Sequence, residues 1–347
     1  MKAFWKLVSR SLPVRPVKKA GKTSTILIVN LQGAGDLLMT TPLTHTLKKK
    51  GCSVDVLCLA AKAEVLEGNQ DVKKILHFQG LRTLRRVNRR NYDLIFLAHG
   101  AGPKSGLLFR LLRGNTKASH IYDLAGHPTS FGADISIAQT PRLHRVEENT
   151  KILHELGMAR PSSMTYHYTI PQEARHYADK LWSKRGLEKK TVIGIHPGSE
   201  KKQAIKRYPI SRYISLIQSL PPTHEAMVFL GPDEEELLQS LKEAGLEKKV
   251  VRTSLPRTAA LLRKCAVVIH ADTGLGHLAA AVGTRTVTIA GPTNWPRTKP
   301  YGKDHTVIND RKQGLPRDRP MEAGNVDPER TTFKKNLTLS DIQGDQK

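Results

Sequence analysis

Short apolar runs alternate with amphipathic segments along most of the chain. In the first half the runs are Ile26–Val29, Val54–Leu59 and Leu94–Ala98, with helical spacing at Asp36–Lys50, Leu81–Arg90 and Val146–Leu156. In the second half the runs are Val192–His196, Ala226–Leu230, Ala266–His270 and Thr286–Ala290, with helical spacing at Ile210–Leu220, from Asp233, at Thr258–Lys264 and at Leu275–Val282. Buried strands that alternate with helices are typical of βαβ units. The pattern predicts an α/β fold with two Rossmann-like domains that have parallel sheets and face a cleft.

The repetition of this pattern also predicts the domain organisation. A chain of 347 residues is long enough for two domains of roughly 150 residues each. We expect a basic N-terminal arm at 1–22, an N-terminal Rossmann-like domain at 23–165, a C-terminal one at 166–310, and a polar, loosely ordered tail at 311–347. The arm has seven basic and no acidic residues, so it is either an amphipathic segment for an anionic bilayer or a solvated arm.

Net charge changes this picture most. Lys and Arg total 56 against 31 Asp and Glu, which gives a formal net charge of +25 and a pI near 10.1. An excess of this size indicates an anionic partner, namely nucleic acid, a membrane surface or a phosphorylated substrate. Aromatic residues are only 5% of the chain and no nucleic-acid-binding module is recognisable, so we expect no nucleic-acid partner.

Cysteine content and apolar run length indicate the compartment. Three cysteines without a C-x-x-C spacing fit a reducing environment and provide neither a zinc motif nor a disulfide framework. No run approaches the roughly 20 apolar residues of a membrane-spanning helix. The first residues also lack the apolar core and cleavage site of a secretory signal. We therefore expect a cytoplasmic protein that is not embedded in the membrane.

The segment Asn30–Asp36 joins the first predicted strand to the first predicted helix. It contains G-x-G at Gly33 and Gly35 but lacks the third glycine of the dinucleotide fingerprint, so it is a weak nicotinamide signal. Glycines allow a sharp turn at the carboxyl end of a strand, where α/β sheets bind ligands, so both are candidate phosphate or acceptor contacts. Asp36 is either a catalytic base or an ordinary carboxylate at a helix N-terminus.

A second glycine loop follows the predicted strand Val192–His196. It contains Gly198 and Ser199, and Lys206 and Arg207 come a few residues later. Backbone N–H groups together with these two cations would form a phosphate cradle. An ordinary basic loop is the alternative interpretation.

Carboxylates also follow the predicted strand Ala226–Leu230. Pro232, Asp233 and the three glutamates after it occupy what we predict to be a first helical turn, which the helix dipole favours. A structural role explains most of this segment. Asp233, at the strand end, is in addition a candidate for binding a ribose hydroxyl.

The segment from Asp272 to Ala281 follows the predicted strand Ala266–His270 and opens a helix rich in small residues. Backbone N–H groups at this helix start would point at an anion, and Asp272 and Thr273 add fixed polar groups. His277 lies one to two turns further on, where an ordinary core histidine is the alternative.

Several motifs are absent from the sequence. It has no D-x-D motif for a metal-held nucleotide, no phosphate loop of the G-x-x-x-x-G-K-[ST] type, and no G-x-S-x-G elbow. We therefore expect no metal and no cofactor.

Together and in this order, the four segments resemble the ADP-heptose:lipopolysaccharide heptosyltransferases, glycosyltransferase family 9. The matching stretches are ILIVNLQGAGDLLMTTP, HPG followed by KRYP, FLGPDEEE, and DTGLGHLAAAVGTRTVTIAGPTNWPRTKPYG, within residues 25–302. The resemblance implies a GT-B architecture and an inverting, metal-independent transfer of heptose from ADP-heptose to the inner core of lipopolysaccharide. It implies an anionic acceptor on the first domain and the nucleotide sugar on the second.

The resemblance also implies roles for individual residues. Asp36 matches the general base, Lys206 the lysine that neutralises the diphosphate, with Ser199 in the adjoining loop, and Asp233 a carboxylate that binds the nucleoside. The donor-site motif matches Asp272, Thr273, Gly274 and His277. The chain departs from the family at Asn30, where Arg is usual, at Tyr208, where Trp is common, and in a tail without cysteines after Asn309.

The family's acceptor is presented at the cytoplasmic face of the inner membrane, which implies peripheral contact with that surface. Basic residues that are candidates for attracting the anionic acceptor are Arg82, Arg85, Arg86, Arg89 and Arg90, together with the N-terminal arm. A solvated helix face is the alternative for most of them. Three other functions stay open: transfer of another nucleotide-linked sugar to an anionic glycan, non-catalytic sensing of a sugar nucleotide, and binding of nucleic acid.

Overall fold

The computed structural model describes residues 24–100, 102–124, 127–291, 293–308 and 337–343. The chain divides into two compact units, with the boundary between Thr169 and Ile170. The predicted N-terminal arm lies outside the described residues. In each unit a six-stranded sheet alternates with helices along the chain, which confirms the predicted α/β class.

Six of the eight strands in the first unit form its main sheet. The strands are β1 (Thr25–Asn30), β2 (Ser53–Cys58), β3 (Lys74–His77), β4 (Leu94–His99), β5 (Thr116–His120), β6 (Tyr122–Leu124), β7 (His127–Thr129) and β8 (Ile135–Ile137). The main sheet has the order β3-β2-β1-β4-β5-β8, and every neighbouring pair in it is parallel. Strands β6 and β7 form a separate antiparallel pair.

Five α-helices accompany this sheet. They are α1 (Ala34–Leu38), α2 (Thr41–Lys49), α3 (Leu81–Asn88), α4 (Pro103–Leu111) and α5 (Arg145–Glu155), with a 3₁₀ turn at Ala60–Leu66. The predicted stretch Asp36–Lys50 is two helices rather than one, because Pro42 lacks an N–H and starts a new helix. Val87 of α3 and Leu108 of α4 pack in one apolar cluster with Leu27 and Ile95, so these two helices cover the same face of the sheet.

The second unit repeats the architecture. Its strands are β9 (Thr191–His196), β10 (His224–Phe229), β11 (Val250–Val251), β12 (Val267–Ala271), β13 (Thr286–Ile289) and β14 (His305–Ile308). They are all parallel, in the order β11-β10-β9-β12-β13-β14. Its helices are α6 (Gln172–Lys184), α7 (Ile210–Gln218), α8 (Glu235–Glu243), α9 (Leu255–Lys264), α10 (Gly274–Ala281), α11 (Trp295–Thr298) and α12 (Leu339–Gln343), with 3₁₀ turns at Lys201–Lys206 and Glu247–Lys249.

The end of the chain differs from the sequence prediction. A loosely ordered polar tail was expected at 311–347, yet Leu337 and Ile342 are buried in the apolar core of the second unit. The Arg285 guanidinium donates a hydrogen bond to the carbonyl of Ile342 and so fixes α12. For residues 337–343 the prediction is therefore wrong, because the apolar side chains of this short segment, Leu339 included, dock one helical turn onto the core.

Strand order determines where ligands can bind. In the first sheet the chain runs outward from β1 through β2 to β3 and then crosses to β4, and in the second sheet β9 and β12 take the same positions. Open parallel sheets bind ligands beyond the carboxyl ends of the strands at such a switch point. The candidate segments after β1, β9 and β12 all lie at these ends. Within the described residues, no helix is both long and apolar enough to cross a membrane.

Candidate functional site

Asp36 lies in the first turn of α1, beyond the carboxyl end of β1. One carboxylate oxygen, Oδ2, accepts a hydrogen bond from the backbone N–H of Gly33 at 3.2 Å. The other, Oδ1, lies 3.6 Å from Nε2 of His99 at the end of β4. The side chain is 27% exposed. The carboxylate therefore caps the helix through one oxygen and presents the other at the switch point of the first sheet.

The turn that holds Asp36 is built by Asn30. This side chain is fully buried; its Nδ2 donates to the carbonyl of Asp36 at 2.9 Å, and its Oδ1 accepts the N–H of Gln32 at 3.1 Å. Gly33 has an ordinary φ of −70°, and Gly35 is not in the left-handed region either. The expected need for glycine in this turn is therefore wrong, because the buried amide holds a backbone that other residues could adopt.

Sequence reasoning missed His99 altogether. Its only sequence signal is its position as the last residue of an apolar strand, and parallel pairing places Asn30 directly opposite it. The meeting of β1 and β4 at the switch point brings His99 to Asp36. Contact of Gly33 or Gly35 with a phosphate or acceptor stays a prediction.

In the second unit, the loop after β9 is fastened by Arg207. Its Nε donates to Ser199 Oγ at 3.1 Å, one terminal nitrogen donates to the Ser199 carbonyl at 2.7 Å, and the other pairs with Glu236. The guanidinium is 12% exposed. Arg207 therefore shapes the loop that contains Ser199, and its charge is already balanced by a carboxylate.

Lys206 connects two of the predicted segments. Its ammonium lies 3.5 Å from the backbone carbonyl of Asp272, although the residues are 66 positions apart. The side chain is half-buried. Folding therefore brings the predicted phosphate lysine to the start of α10, where the predicted donor motif lies.

The carboxylate that the structure buries after β10 is Glu234 rather than Asp233. Asp233 is exposed, whereas Glu234 is 6% exposed and accepts the N–H of Gly231 at 2.7 Å. A Cβ on Gly198 would lie 1.7 Å from Glu234 Oε1, so the Glu234 carboxylate in its present position packs directly on this glycine. Sequence reasoning missed this packing role because all four acidic residues look alike in sequence. Binding of the nucleoside by Asp233 stays a prediction.

The donor motif occupies the connection from β12 to α10. Asp272 is buried, and its Oδ2 accepts a hydrogen bond from Thr298 Oγ at 3.0 Å, which fixes its orientation. Thr273 is the N-cap residue and Gly274 the first residue of the helix. The first N–H groups of a helix have no partner within the helix and attract anions. The motif therefore offers backbone donors beside the Lys206 ammonium.

Two hydroxyls at this edge of the second sheet lack partners. Within the described residues, Thr273 Oγ and Thr293 Oγ are buried and make no hydrogen bond. Buried hydroxyls are normally bonded, and leaving one unsatisfied costs about 1–3 kcal/mol. Both follow the carboxyl ends of neighbouring strands, β12 and β13. They are therefore positioned to bond a polar group of a ligand.

The small residues of α10 have a packing reason. A Cβ on Gly276 would lie 1.9 Å from Cε1 of His270, a fully buried residue of β12. His270 also contacts Thr288 Oγ through Nε2 at 3.2 Å. Burial lowers the pKa of His270 to about 3, so this ring is neutral at physiological pH. His277 lies in α10 and is buried. Its contact with the sugar-nucleotide donor stays a prediction.

One group of side chains in the described residues could hold a metal ion, and it contains none of the predicted site residues. It consists of His45, Asp71 and His167 in the first unit. The sequence predicted no metal ligands, and its spacing could not have shown this group, since the members come from three distant parts of the chain.

Comparison with known proteins identifies the family. The model of glycosyltransferase family 9 (heptosyltransferase) matches residues 81–323. Lipopolysaccharide heptosyltransferase 3 of Escherichia coli (strain K12) is 24% identical over 294 residues, which are 77% of this chain and 82% of that protein. A glycosyl transferase family 9 structure from Veillonella parvula DSM 2008 has a TM-score of 0.71 at 20% identity, with 84% of this chain and 87% of that chain covered.

A second solved structure, E. coli heptosyltransferase WaaC with ADP, has a TM-score of 0.64 at 22% identity and covers 82% of this chain and 93% of that one. These likenesses confirm the predicted GT-B class. Since the family model matches well over half of the sequence, the chain belongs to glycosyltransferase family 9, the heptosyltransferase family, and is a glycosyltransferase.

Proposed function

We propose that this protein is an inverting, metal-independent heptosyltransferase that transfers heptose from ADP-heptose to the inner core of lipopolysaccharide. Membership of the heptosyltransferase family supports the class of reaction. The name of the E. coli relative, lipopolysaccharide heptosyltransferase 3, supports lipopolysaccharide as the acceptor. The observation that carries the proposal is the meeting of Lys206, Asp272 and the start of α10 at one switch point. This arrangement suits a leaving diphosphate.

The donor site neutralises charge with protein groups alone. As the glycosidic bond breaks, negative charge grows on the diphosphate oxygens. The Lys206 ammonium and the first N–H groups of α10 are fixed before the reaction, which is how donors stabilise developing charge best. The buried hydroxyl of Thr273 adds a donor. A divalent cation is then not required for departure of ADP.

The transfer is a direct displacement. Asp36 removes the proton from the acceptor hydroxyl, and that oxygen forms a bond to the anomeric carbon from the side opposite ADP. The bond from the anomeric carbon to the diphosphate breaks, ADP leaves with the electron pair, and the anomeric configuration inverts. The proton is held on the Asp36 carboxyl, whose Oδ1 faces His99. General-base catalysis of this kind typically contributes 10²–10⁴-fold.

The acceptor is anionic and membrane-bound, and a surface of the first unit suits both properties. Four exposed arginines lie on or directly after α3: Arg82, Arg85, Arg86 and Arg89. Leu81 on the same helix is 74% exposed, and Leu107 and Leu111 on the neighbouring α4 are 42% and 47% exposed. We call these seven residues the basic–apolar surface. It supports peripheral contact with the cytoplasmic face of the inner membrane.

Arg90, also expected to attract the acceptor, has a structural role. Its guanidinium pairs with Asp55 at 2.7 Å, and the hydroxyl of Tyr92 donates to the same carboxylate oxygen at 2.7 Å. Asp55 is buried in β2, so removing Arg90 would leave a buried charge without its cation. Attraction of the acceptor by Arg90 stays a prediction.

Thermal stabilisation by nucleotides tests the donor site. A ligand that binds only the folded state raises its stability by mass action. In the presence of EDTA, we expect ADP to raise the Tm more than UDP or GDP. The variant Lys206→Gln should lose most of this shift, whereas Lys189→Gln, at an exposed lysine of the same unit, should keep it.

Each other result of this experiment has a defined meaning. A preference for UDP or GDP would keep sugar transfer but exclude ADP-heptose as the donor. A response that appears only with added Mg²⁺ would contradict the metal-independent mechanism. No response to any nucleotide would contradict the donor site at Lys206 and Asp272.

A further inference from the structure

Two imidazoles and a carboxylate converge in the first unit. His45 lies in α2, Asp71 follows the 3₁₀ turn at Ala60–Leu66, and His167 lies near the C-terminal end of the unit. Nδ1 of His45 is 2.9 Å from Asp71 Oδ2, and Nδ1 of His167 is 3.9 Å from the same oxygen. One potential ligand atom from each residue lies within 4.8 Å of the other two.

The backbones of Asp71 and His167 are held by neighbouring side chains, and the two imidazoles contact each other. The rings of His45 and His167 stack with centroids 3.7 Å apart and planes 15° from parallel. Asn69 accepts the N–H of Asp71 at 2.9 Å through its Oδ1 and donates to the carbonyl of His167 at 3.1 Å. The hydroxyl of Thr41 accepts the N–H of His167 at 3.0 Å. All three candidate ligands are half-buried, so an ion can reach them from solvent.

We propose that His45, Asp71 and His167 bind a transition-metal ion with the preferences of Zn²⁺. Imidazole nitrogen with one carboxylate oxygen is a zinc-type ligand set, whereas Mg²⁺ and Ca²⁺ select oxygen ligands. Bonds of about 2.1 Å to a tetrahedral ion place ligand atoms about 3.4 Å apart. The two nitrogens lie 2.9 Å and 3.9 Å from the shared Asp71 oxygen, on either side of this value. Because nitrogen lone pairs lie in the ring planes, the two stacked rings turn out of their stack when both nitrogens bind one ion.

The charges around the cluster permit a cation. Asp71 provides a negative charge in the middle of the site. Lys49 acts on His167 electrostatically, but it is exposed, so solvent screens its repulsion of a bound ion. Three protein ligands leave a fourth position for water.

The ion would have a structural effect. His167 is two residues before the end of the first unit, and the metal would fasten this last segment to α2 and to the loop of Asp71. This site shares no residue with the proposed acceptor and donor sites, and it does not depend on the proposed transferase activity.

Metal titration of the full-length, tag-free protein tests the site. After treatment with EDTA and removal of the chelator, calorimetry with Zn²⁺ should show one site per chain, and the Tm should rise and fall again when EDTA is added. His45→Gln, His167→Gln and Asp71→Asn should each weaken Zn²⁺ binding at least tenfold. His154→Gln, at a histidine 93% exposed, is the matched control and should bind like the parent protein.

Absence of Zn²⁺ binding, or equal binding by the three variants, would overturn the proposal, and loss of binding only in His154→Gln would show an adventitious surface site. Because a variant could fold poorly, Co²⁺ provides a second measurement on the unaltered protein. Visible absorption of four-coordinate Co²⁺ that disappears on addition of Zn²⁺ is expected, and its absence would overturn the site. Stabilisation by ADP in EDTA is a separate readout, so failure here leaves the proposed function untouched.

Discussion

At the scale of single residues, the geometry of Asp36 is compatible with both roles that the sequence left open. One oxygen caps α1 and the other faces His99, so the structural contact does not compete with base catalysis. A carboxylate fixed by a backbone N–H is also well oriented. Removing its charge while keeping its shape therefore separates catalysis from folding.

Asp36→Asn should lower kcat by about 10²–10⁴-fold, because the amide cannot accept the acceptor proton. The amide oxygen still accepts the N–H of Gly33, so the Tm and the stabilisation by ADP should change little. Steady-state kinetics with ADP-heptose and a lipopolysaccharide core acceptor measure kcat. Glu155→Gln, at a carboxylate 45% exposed in the same unit, serves as control. Unchanged kcat in Asp36→Asn would reduce Asp36 to a helix cap.

Two buried histidines make stability depend on pH. Burial lowers the pKa of His120 and of His270 to about 3, whereas unfolded histidine titrates near 6.5. Between these values the unfolded chain binds protons that the folded chain excludes. The free energy of unfolding should therefore be level above about pH 6.5 and should fall on acidification, by up to about 1.4 kcal/mol per pH unit for each histidine.

Urea unfolding at pH 7.5, 5.5 and 4.5 measures this slope. His270→Gln should give a shallower dependence on pH for the second unit, whatever its effect on absolute stability. His154→Gln, which removes an exposed ring, should keep the parent slope. Equal slopes in all three proteins would assign the acid sensitivity to other groups.

At the scale of elements, the start of α10 combines the proposed donor site with an unsatisfied buried hydroxyl. The buried Thr273 hydroxyl has no partner within the described residues. Thr284, just beyond the same helix, is also a threonine with a buried hydroxyl, but this hydroxyl donates to the carbonyl of Leu262 at 2.9 Å. The two threonines therefore form a matched pair, one with an unpaired hydroxyl at the proposed donor site and one whose hydroxyl is bonded within the fold.

Thr273→Val should weaken binding of ADP several-fold and leave the stability of the ligand-free protein unchanged or slightly higher. Thr284→Val should lower the free energy of unfolding by about 1 kcal/mol and leave the affinity for ADP unchanged. Calorimetry with ADP and thermal unfolding without it provide both numbers. A loss of stability in Thr273→Val with normal ADP binding would show that its hydroxyl belongs to the fold.

At the scale of the whole molecule, the net charge of +25 is concentrated in part on the basic–apolar surface of the first unit. Basic residues near an anionic bilayer contribute about 1 kcal/mol each, and exposed leucines add contact that salt does not screen. The arrangement therefore predicts binding to a membrane that depends on both charge and apolar contact.

Replacing Arg82, Arg85, Arg86 and Arg89 together by Gln should weaken binding to phosphatidylglycerol vesicles at least tenfold, and salt should weaken binding of the parent protein in the same direction. Sedimentation with vesicles measures the fraction of protein that is bound to the membrane. Replacing Lys180, Lys184, Lys189 and Lys248 by Gln removes the same charge from exposed positions of the second unit. Equal losses in both variants would show that net charge alone, and not this surface, directs binding.

The sequence by itself determined the alternation of strands and helices, because apolar periodicity is a local property. The runs predicted at β1, β2, β4, β9, β10, β12 and β13 are all strands in the structure. The pattern did not predict β5, whose residues Thr116–His120 contain one apolar side chain, because its burial comes from pairing with β4 and β8. The pattern also did not predict α12, which is held by the packing of apolar side chains on the core of the second unit.

Only the tertiary structure decided which side chains meet. Strand order brings His99 to Asp36, and Lys206 to the backbone of Asp272. Packing selects Glu234 from a run of similar carboxylates, since it alone lies against Gly198. These contacts join residues far apart in the chain, and periodicity contains no information about distance between elements. The sequence therefore predicted the candidate segments, whereas the sheet topology decided which of their side chains lie together.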